Sequence, residues 1–157
     1  MMGDYGIKTP QQFDKVLVSS RIRPAAFPEP VIVDTDPYYM LHLGNRQGPL
    51  IGAISFAQRD PLAPPDIGWC LLDTYHRQGY ASEAAIEVLR MLKEDLGVKD
   101  IICWPGKNNV ASQKTAKRVG SVGEGRAKNV KGEDVLVYVL PGMHFDSDLT
   151  LSIYGGS

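Results

Sequence analysis

The chain has 157 residues, enough for one domain with a sizeable core, and its 43% hydrophobic and 22% charged content is ordinary for a soluble globular protein. Its net charge of −1 leaves no broad electrostatic footprint for nucleic acid or membrane, and no apolar run reaches transmembrane length. With no signal-peptide pattern and no recognisable framework around Cys70 and Cys103, a reducing cytoplasmic setting is expected, and the scattered His42, His76 and His144 give no metal-ligand spacing.

In chain order, residues 1–8 read as a loose terminus. Thr9-Pro10 then pairs an N-cap with Pro at the first helical position, so a short helix is expected through about Ser20. The proline-rich run 23–30 reads as a rigid extended loop. Residues 38–43 and 50–56 read as two strands joined by a turn over 45–48, an antiparallel hairpin. The run DPLAPPD at 60–66 breaks the chain again. Ile67, Trp69, Leu71 and Leu72 form a short apolar strand. Ala81, Ala85, Val88, Leu89, Leu92 and Leu96 then recur at helical spacing, and Gly97 offers a stop. A strand is expected over 100–104, ended by Pro105-Gly106. A helix follows over 109–119, with Ala111, Thr115, Ala116 and Val119 facing inward. Residues 121–127 and 135–140 read as a closing hairpin around Lys131-Gly132, and the tail from Pro141 has no clear pattern beyond Leu149, Leu151 and Ile153. The order implies a single α+β domain over 1–157, with a mixed, mostly antiparallel sheet and helices on both faces.

The turn from the 67–72 strand into the following helix carries a chemical suggestion. It reads Arg77-Gln78-Gly79-Tyr80-Ala81-Ser82. A Gly and a small Ala let a ligand approach the backbone closely. The first N–H groups of a helix lack internal partners and sit at its positive end, which suits a phosphate. Arg77 can add charge, and Ser82 can cap the helix or reach an oxyanion. The stretch resembles the GNAT acetyltransferases, whose pyrophosphate loop reads Gln/Arg-x-x-Gly-x-Gly/Ala. Here it is His76-Arg77-Gln78-Gly79-Tyr80-Ala81, with His76 departing at the first position. Downstream, NVASQKTAKRVG is similar to the Asn-x-x-Ser…Gly signature of the branch that acetylates ribosomal proteins. Asn109, Ser112 and Gly120 match, and Ser121 stands where that branch has an aromatic residue. The resemblance covers residues 40–140 well and 1–40 poorly.

The resemblance implies an acetyl-CoA-dependent N-acetyltransferase working by direct ternary-complex transfer. The acceptor would be an amine, on a protein N-terminus, another protein or a small molecule. Backbone groups of Cys70, Leu71 and Leu72 would hold the pantetheine arm. Those of Arg77, Gln78, Gly79, Tyr80, Ala81 and Ser82 would hold the pyrophosphate. Asp66 is the candidate base, set against an ordinary turn role after Pro64-Pro65. Ser112 is the candidate donor to the departing thiolate, set against a hydroxyl that merely satisfies the helix start. Asn109 would orient the cofactor or a water, or simply cap the helix. Lys114 and Lys117 are set between the cofactor's 3′-phosphate and plain solvation. Cys70 and Cys103 read as packing, and Trp69 and Trp104 as core or pocket wall. The opening strand and helix usual in such proteins are not recognised in the sequence, so either a truncated chain or residues 1–8 and 21–33 doing that work in another way is expected. That leaves a non-catalytic acyl-CoA-binding module as the alternative. A dinucleotide-binding reading lacks the Gly-x-Gly-x-x-Gly spacing. Without a covering strand the 38–43 edge would be exposed, so cover by residues 31–34 or by a homodimer is expected.

Overall fold

The computed structural model describes residues 38–57 and 63–150. The helix expected over 9–20, the loop over 23–30 and the covering segment 31–34 lie outside the described residues. Within them, β1 (Tyr38–His42) and β2 (Leu50–Ala57) form the expected antiparallel hairpin. Its turn is set by one side chain: Asn45 Oδ1 accepts from the Gln47 N–H at 2.9 Å, and the Asn45 carbonyl accepts from the Gly48 N–H at 2.9 Å. Next come β3 (Asp66–Leu71) and a single 3₁₀ turn over Asp73–Tyr75. The chain continues through α1 (Tyr80–Glu94), β4 (Ile102–Cys103), α2 (Val110–Arg118), β5 (Val122–Lys128), β6 (Asp134–Val139) and β7 (Asp146–Thr150).

All seven strands join one sheet in the order β1-β2-β3-β4-β6-β5-β7. The β3–β4 and β5–β7 pairs are parallel and the others antiparallel, so the expected mixed, mostly antiparallel α+β architecture is found. β2 and β3 lie unusually close at Gly52, where a Cβ would collide with the Cys70 carbonyl; only glycine fits there.

Side-chain alternation divides the core in two. One face of the sheet presents Ile54, Phe56, Ile67, Trp69, Cys103 and Tyr138. These pack against Ala85, Val88, Leu89 and Leu92 of α1 and Ala116 of α2. Both described helices therefore lie on the same face, and the helix expected over 9–20, which could occupy the other, lies outside the described residues. The opposite face gathers Ala63, Ile102, Ala127, Val137 and Val139. α1 matches its sequence pattern: its stripe is buried, and Gly97 takes a φ of +66° just beyond it while the Val98 N–H bonds the Leu92 carbonyl.

Three expectations change. The strand expected over 100–104 shrinks to two residues, since Pro105 has no N–H to extend the ladder. Ala111 is exposed rather than inward, and the small polar Ser112 takes the buried position. The tail supplies β7, parallel to β5, from the polar run Asp146–Thr150.

Candidate functional site

In β3, hydrogen-bonding direction alternates along the strand. The Leu72 N–H bonds the Ile51 carbonyl, so the peptide groups of Leu72, Cys70 and Gly68 face β2. Those of Ile67, Trp69 and Leu71 face the β4 side. There the parallel pairing consists of a single register pair, Asp66 with Ile102, and the Ile102 N–H bonds the Pro65 carbonyl. Beyond that point β3 continues and β4 ends. The two strands part, and the Trp69 peptide and the Leu71 N–H have no ladder partner among the described residues. Of the three residues expected to offer backbone, Leu71 thus faces this gap, while Cys70 and Leu72 are turned to β2. The Trp69 peptide also faces the gap.

The end of the gap is closed by His76. Its Nε2–H donates to the Leu71 carbonyl at 2.9 Å, and its Nδ1 lies 3.6 Å from the Asp73 carboxylate. This fastens the loop to the strand it has just left. The turn then needs two left-handed residues, Arg77 at φ +63° and Gly79 at φ +91°. Gly79, not Ser82, occupies the N-cap of α1. The Ser82 and Glu83 N–H groups both reach the Gly79 carbonyl, at 3.0 and 3.1 Å, and Ser82 is buried in the first turn. The N–H groups of residues 77–81 have no acceptor among the described residues. They form an open amide cradle at the positive end of a 15-residue helix. The side chains of Arg77 and Gln78 are exposed, with Gln78 Nε2–H donating back to the Thr74 carbonyl. Tyr80 and Ala81 are half-buried.

The second element of the site is the start of α2. Asn109 is its N-cap, and Asn109 Oδ1 accepts from the Ser112 N–H at 3.0 Å. Gln113 Nε2–H donates to the Gly106 and Lys107 carbonyls, at 3.1 and 2.9 Å, and pins the preceding loop. Ser112 Oγ accepts from the Trp69 indole N–H at 3.0 Å. This joins α2 to β3 beside the gap. The link spans 43 positions in sequence, so no local pattern carries it, and reading Trp69 as wall missed its polar edge. Lys114 and Lys117 are exposed on the same helix.

Asp66 stands at the first residue of β3 and is buried, at 3% exposure. Its register partner Ile102 belongs to the apolar cluster opposite the helices, so alternation puts Asp66 on that face, away from Trp69 and Ser112. Asn109 and Ser112 come together; Asp66 stands apart. Neither cysteine is poised as a nucleophile. Burial pushes the Cys70 thiol up to about 11, with Asp73 adding to it. Burial likewise pushes Cys103 up to about 12, against a hydrogen bond with Ser121 that lowers it. Among the described residues no cluster of His, Cys, Asp and Glu could hold a metal ion, and no helix is long and apolar enough to cross a membrane.

The site thus combines a gap between parting parallel strands with an amide cradle at the start of the following helix. The family model for the acetyltransferase (GNAT) domain matches residues 11–122. Among solved structures, an acetyltransferase from Agrobacterium tumefaciens is 30% identical with a TM-score of 0.55, over 65% of this chain and 58% of that one. A GNAT-family acetyltransferase from Bacillus anthracis is 24% identical with a TM-score of 0.57, over 66% and 65%. A Vibrio cholerae chain described as a ribosomal-protein-serine acetyltransferase is 26% identical with a TM-score of 0.55, over 66% and 62%. The chain therefore spans less than two thirds of the length of these proteins. No curated protein matches it.

Proposed function

We propose, for a chain that belongs to the acetyltransferase (GNAT) domain family, that it moves an acetyl group from acetyl-CoA to an amine by direct transfer in a ternary complex. The observation that carries this reading is the parting of β3 and β4, which leaves the Trp69 peptide and the Leu71 N–H open among the described residues, with the unpaired amides of 77–81 following the same strand. Those groups fit the molecule in kind: a ligand with amides along its arm and a diphosphate at its end. Bound acetyl-CoA would supply an activated thioester. Trp69 and Leu71 would hold the arm by strand-like hydrogen bonds. Residues 77–82 would hold the diphosphate through backbone donors and the helix dipole, with Arg77 adding charge.

Ser112 would keep a hydroxyl proton beside the departing sulfur, and a donor there stabilises developing negative charge. Asn109 fixes the backbone of Ser112 by capping, and its side-chain amide nitrogen remains to orient a ligand amide or a water. Asp66 would take the proton of an ammonium acceptor. Since it lies on the other face of the sheet, that route would run through water around the start of β3. The acceptor is a primary amine of a protein or small molecule. The Vibrio cholerae chain makes ribosomal protein the first to try, and a homodimer and a cytoplasmic location are part of the same proposal.

The alternative is a non-catalytic acyl-CoA-binding module, and the separation of Asp66 from Ser112 favours it. One experiment divides the two. The protein is titrated with acetyl-CoA by calorimetry, then incubated with it and a panel of peptides, ribosomal proteins and polyamines under mass detection. Binding with acetylation of at least one amine is expected. Binding without transfer to any of them leaves the module, and absence of binding overturns both. In the active enzyme, Asp66→Asn should abolish the rise of rate with pH on the acidic limb, because a base works only once deprotonated. A limb that survives means the base is another group.

A further inference from the structure

A Ser or Thr beyond the first turn of a helix can donate back to a carbonyl one turn earlier, an option that Ser112, third after the Asn109 cap, lacks within the helix. Thr115 of the same helix takes it, donating to the Ala111 carbonyl at 3.2 Å. Ser112 is buried, at 7% exposure, and its oxygen receives the Trp69 indole N–H at 3.0 Å. An indole nitrogen is a donor only, so the serine oxygen must be the acceptor in this pair. The serine proton is left over, and no acceptor for it exists among the described residues. A buried donor with no partner is costly to maintain. Its surroundings point to where a partner would come from, since Trp69's own peptide groups border the β3–β4 gap and the Asn109 cap holds the Ser112 backbone still.

We infer that Trp69 is a positioning residue for the transfer reaction: its indole N–H occupies one lone pair of Ser112 Oγ and thereby commits the hydroxyl proton to a ligand acceptor in the β3–β4 gap. This rests on the reading of Ser112 as the group that meets the departing sulfur. The contact does two things. It removes the rotamer in which the Ser112 proton turns back into the protein. It also polarises the O–H bond, because a hydroxyl that accepts a hydrogen bond becomes a better donor. The indole does not titrate, so the arrangement holds at every working pH. Packing alone would ask only for an apolar ring at position 69; the inference asks for its N–H.

The test uses the whole protein and two readouts. The chain has two tryptophans, so Trp69→Phe identifies which indole N–H resonance belongs to Trp69 in a nitrogen–proton NMR spectrum. Ser112→Ala is expected to shift that resonance in the ligand-free protein, and Ser112→Thr, which restores a hydroxyl, to bring it back. In turnover, Trp69→Phe should lower kcat by about tenfold, equally at all pH values and with KM for acetyl-CoA near wild type. In a Ser112→Ala background the same change should cost almost nothing more. An unshifted indole in Ser112→Ala, or a Trp69→Phe loss that persists in full beside Ser112→Ala, overturns the inference alone. Wild-type turnover in Ser112→Ala with a shifted indole overturns the underlying role of Ser112, and the inference with it. Should Trp69→Phe not fold, the Ser112→Ala and Ser112→Thr pair decides both points by resonance and rate.

Discussion

Gly79 is the residue on which the cradle depends most directly. At φ +91° it holds a conformation that side chains strain to adopt, although a Cβ there would meet nothing within 4 Å. The penalty of a side chain is therefore one of backbone, not of clash. Gly79→Ala should lower unfolding stability by roughly 1–2 kcal/mol and weaken acetyl-CoA binding as the N–H groups of 77–81 lose their common aim. Denaturant titration beside calorimetry checks this, and an unchanged midpoint with unchanged affinity would sink it. The turn at Gly79 and the cap at Asn109 are legible in the sequence because each is local. The Trp69–Ser112 bond was not, because it joins two elements through a fold that no short window contains. The opposite orientation of Asp66 was hidden too, since a residue at the border of a strand has no alternation of its own until its partner is known. Which peptide groups of β3 face the gap follows from its register on β2: those of Trp69 and Leu71 do, and those of Cys70 and Leu72 face β2.

For whole elements, legibility followed the strength of the apolar period. α1 announces itself because its buried stripe is built from Ala85, Val88, Leu89 and Leu92. Its two faces give a contrast of stability. Leu92 is fully buried in the main core, so Leu92→Ala should cost about 2–5 kcal/mol. Ile86 is 50% exposed on the same helix, and Ile86→Ala should cost no more than about 0.5 kcal/mol. Thermal or chemical unfolding of the pair measures this, and equal losses would mean the helix is seated differently. In α2 the expected phase holds at Ala116, which is buried, and at Thr115 and Val119, which are half-buried; only Ala111 turns outward, and Ser112, bonded to Trp69, is buried beside it in sequence. β7 carries no apolar alternation at all; Asp146–Thr150 is a strand by pairing with β5 and by nothing in its composition. β4 was expected too long, because a run of residues favourable to strand says nothing of how many rungs a neighbour will supply.

At the level of the molecule, the sheet has an outer strand at β1, and nothing pairs with its far edge among the described residues. Met40, at 39% exposure, lies along it. Such an edge invites another strand. We expect it to be covered in solution, by residues 31–34 or by a second copy. Sedimentation at several concentrations, with hydrogen exchange across residues 38–43, tests this; a strict monomer whose amides there exchange rapidly would refute it. The parting of β3 from β4 has a mechanical consequence. Among the described residues one register pair connects a panel of β1, β2 and β3 to a panel of β4, β6, β5 and β7, and α1 and α2 pack over the same sheet face. A linear ligand lodged in the seam would serve as the absent rungs and weld the panels together. Binding should thus read out as rigidity: at a hundredfold excess over Kd it adds about 2.7 kcal/mol to global stability, and the amides of Trp69 and Leu71 should show the largest drop in exchange rate of any in the sheet.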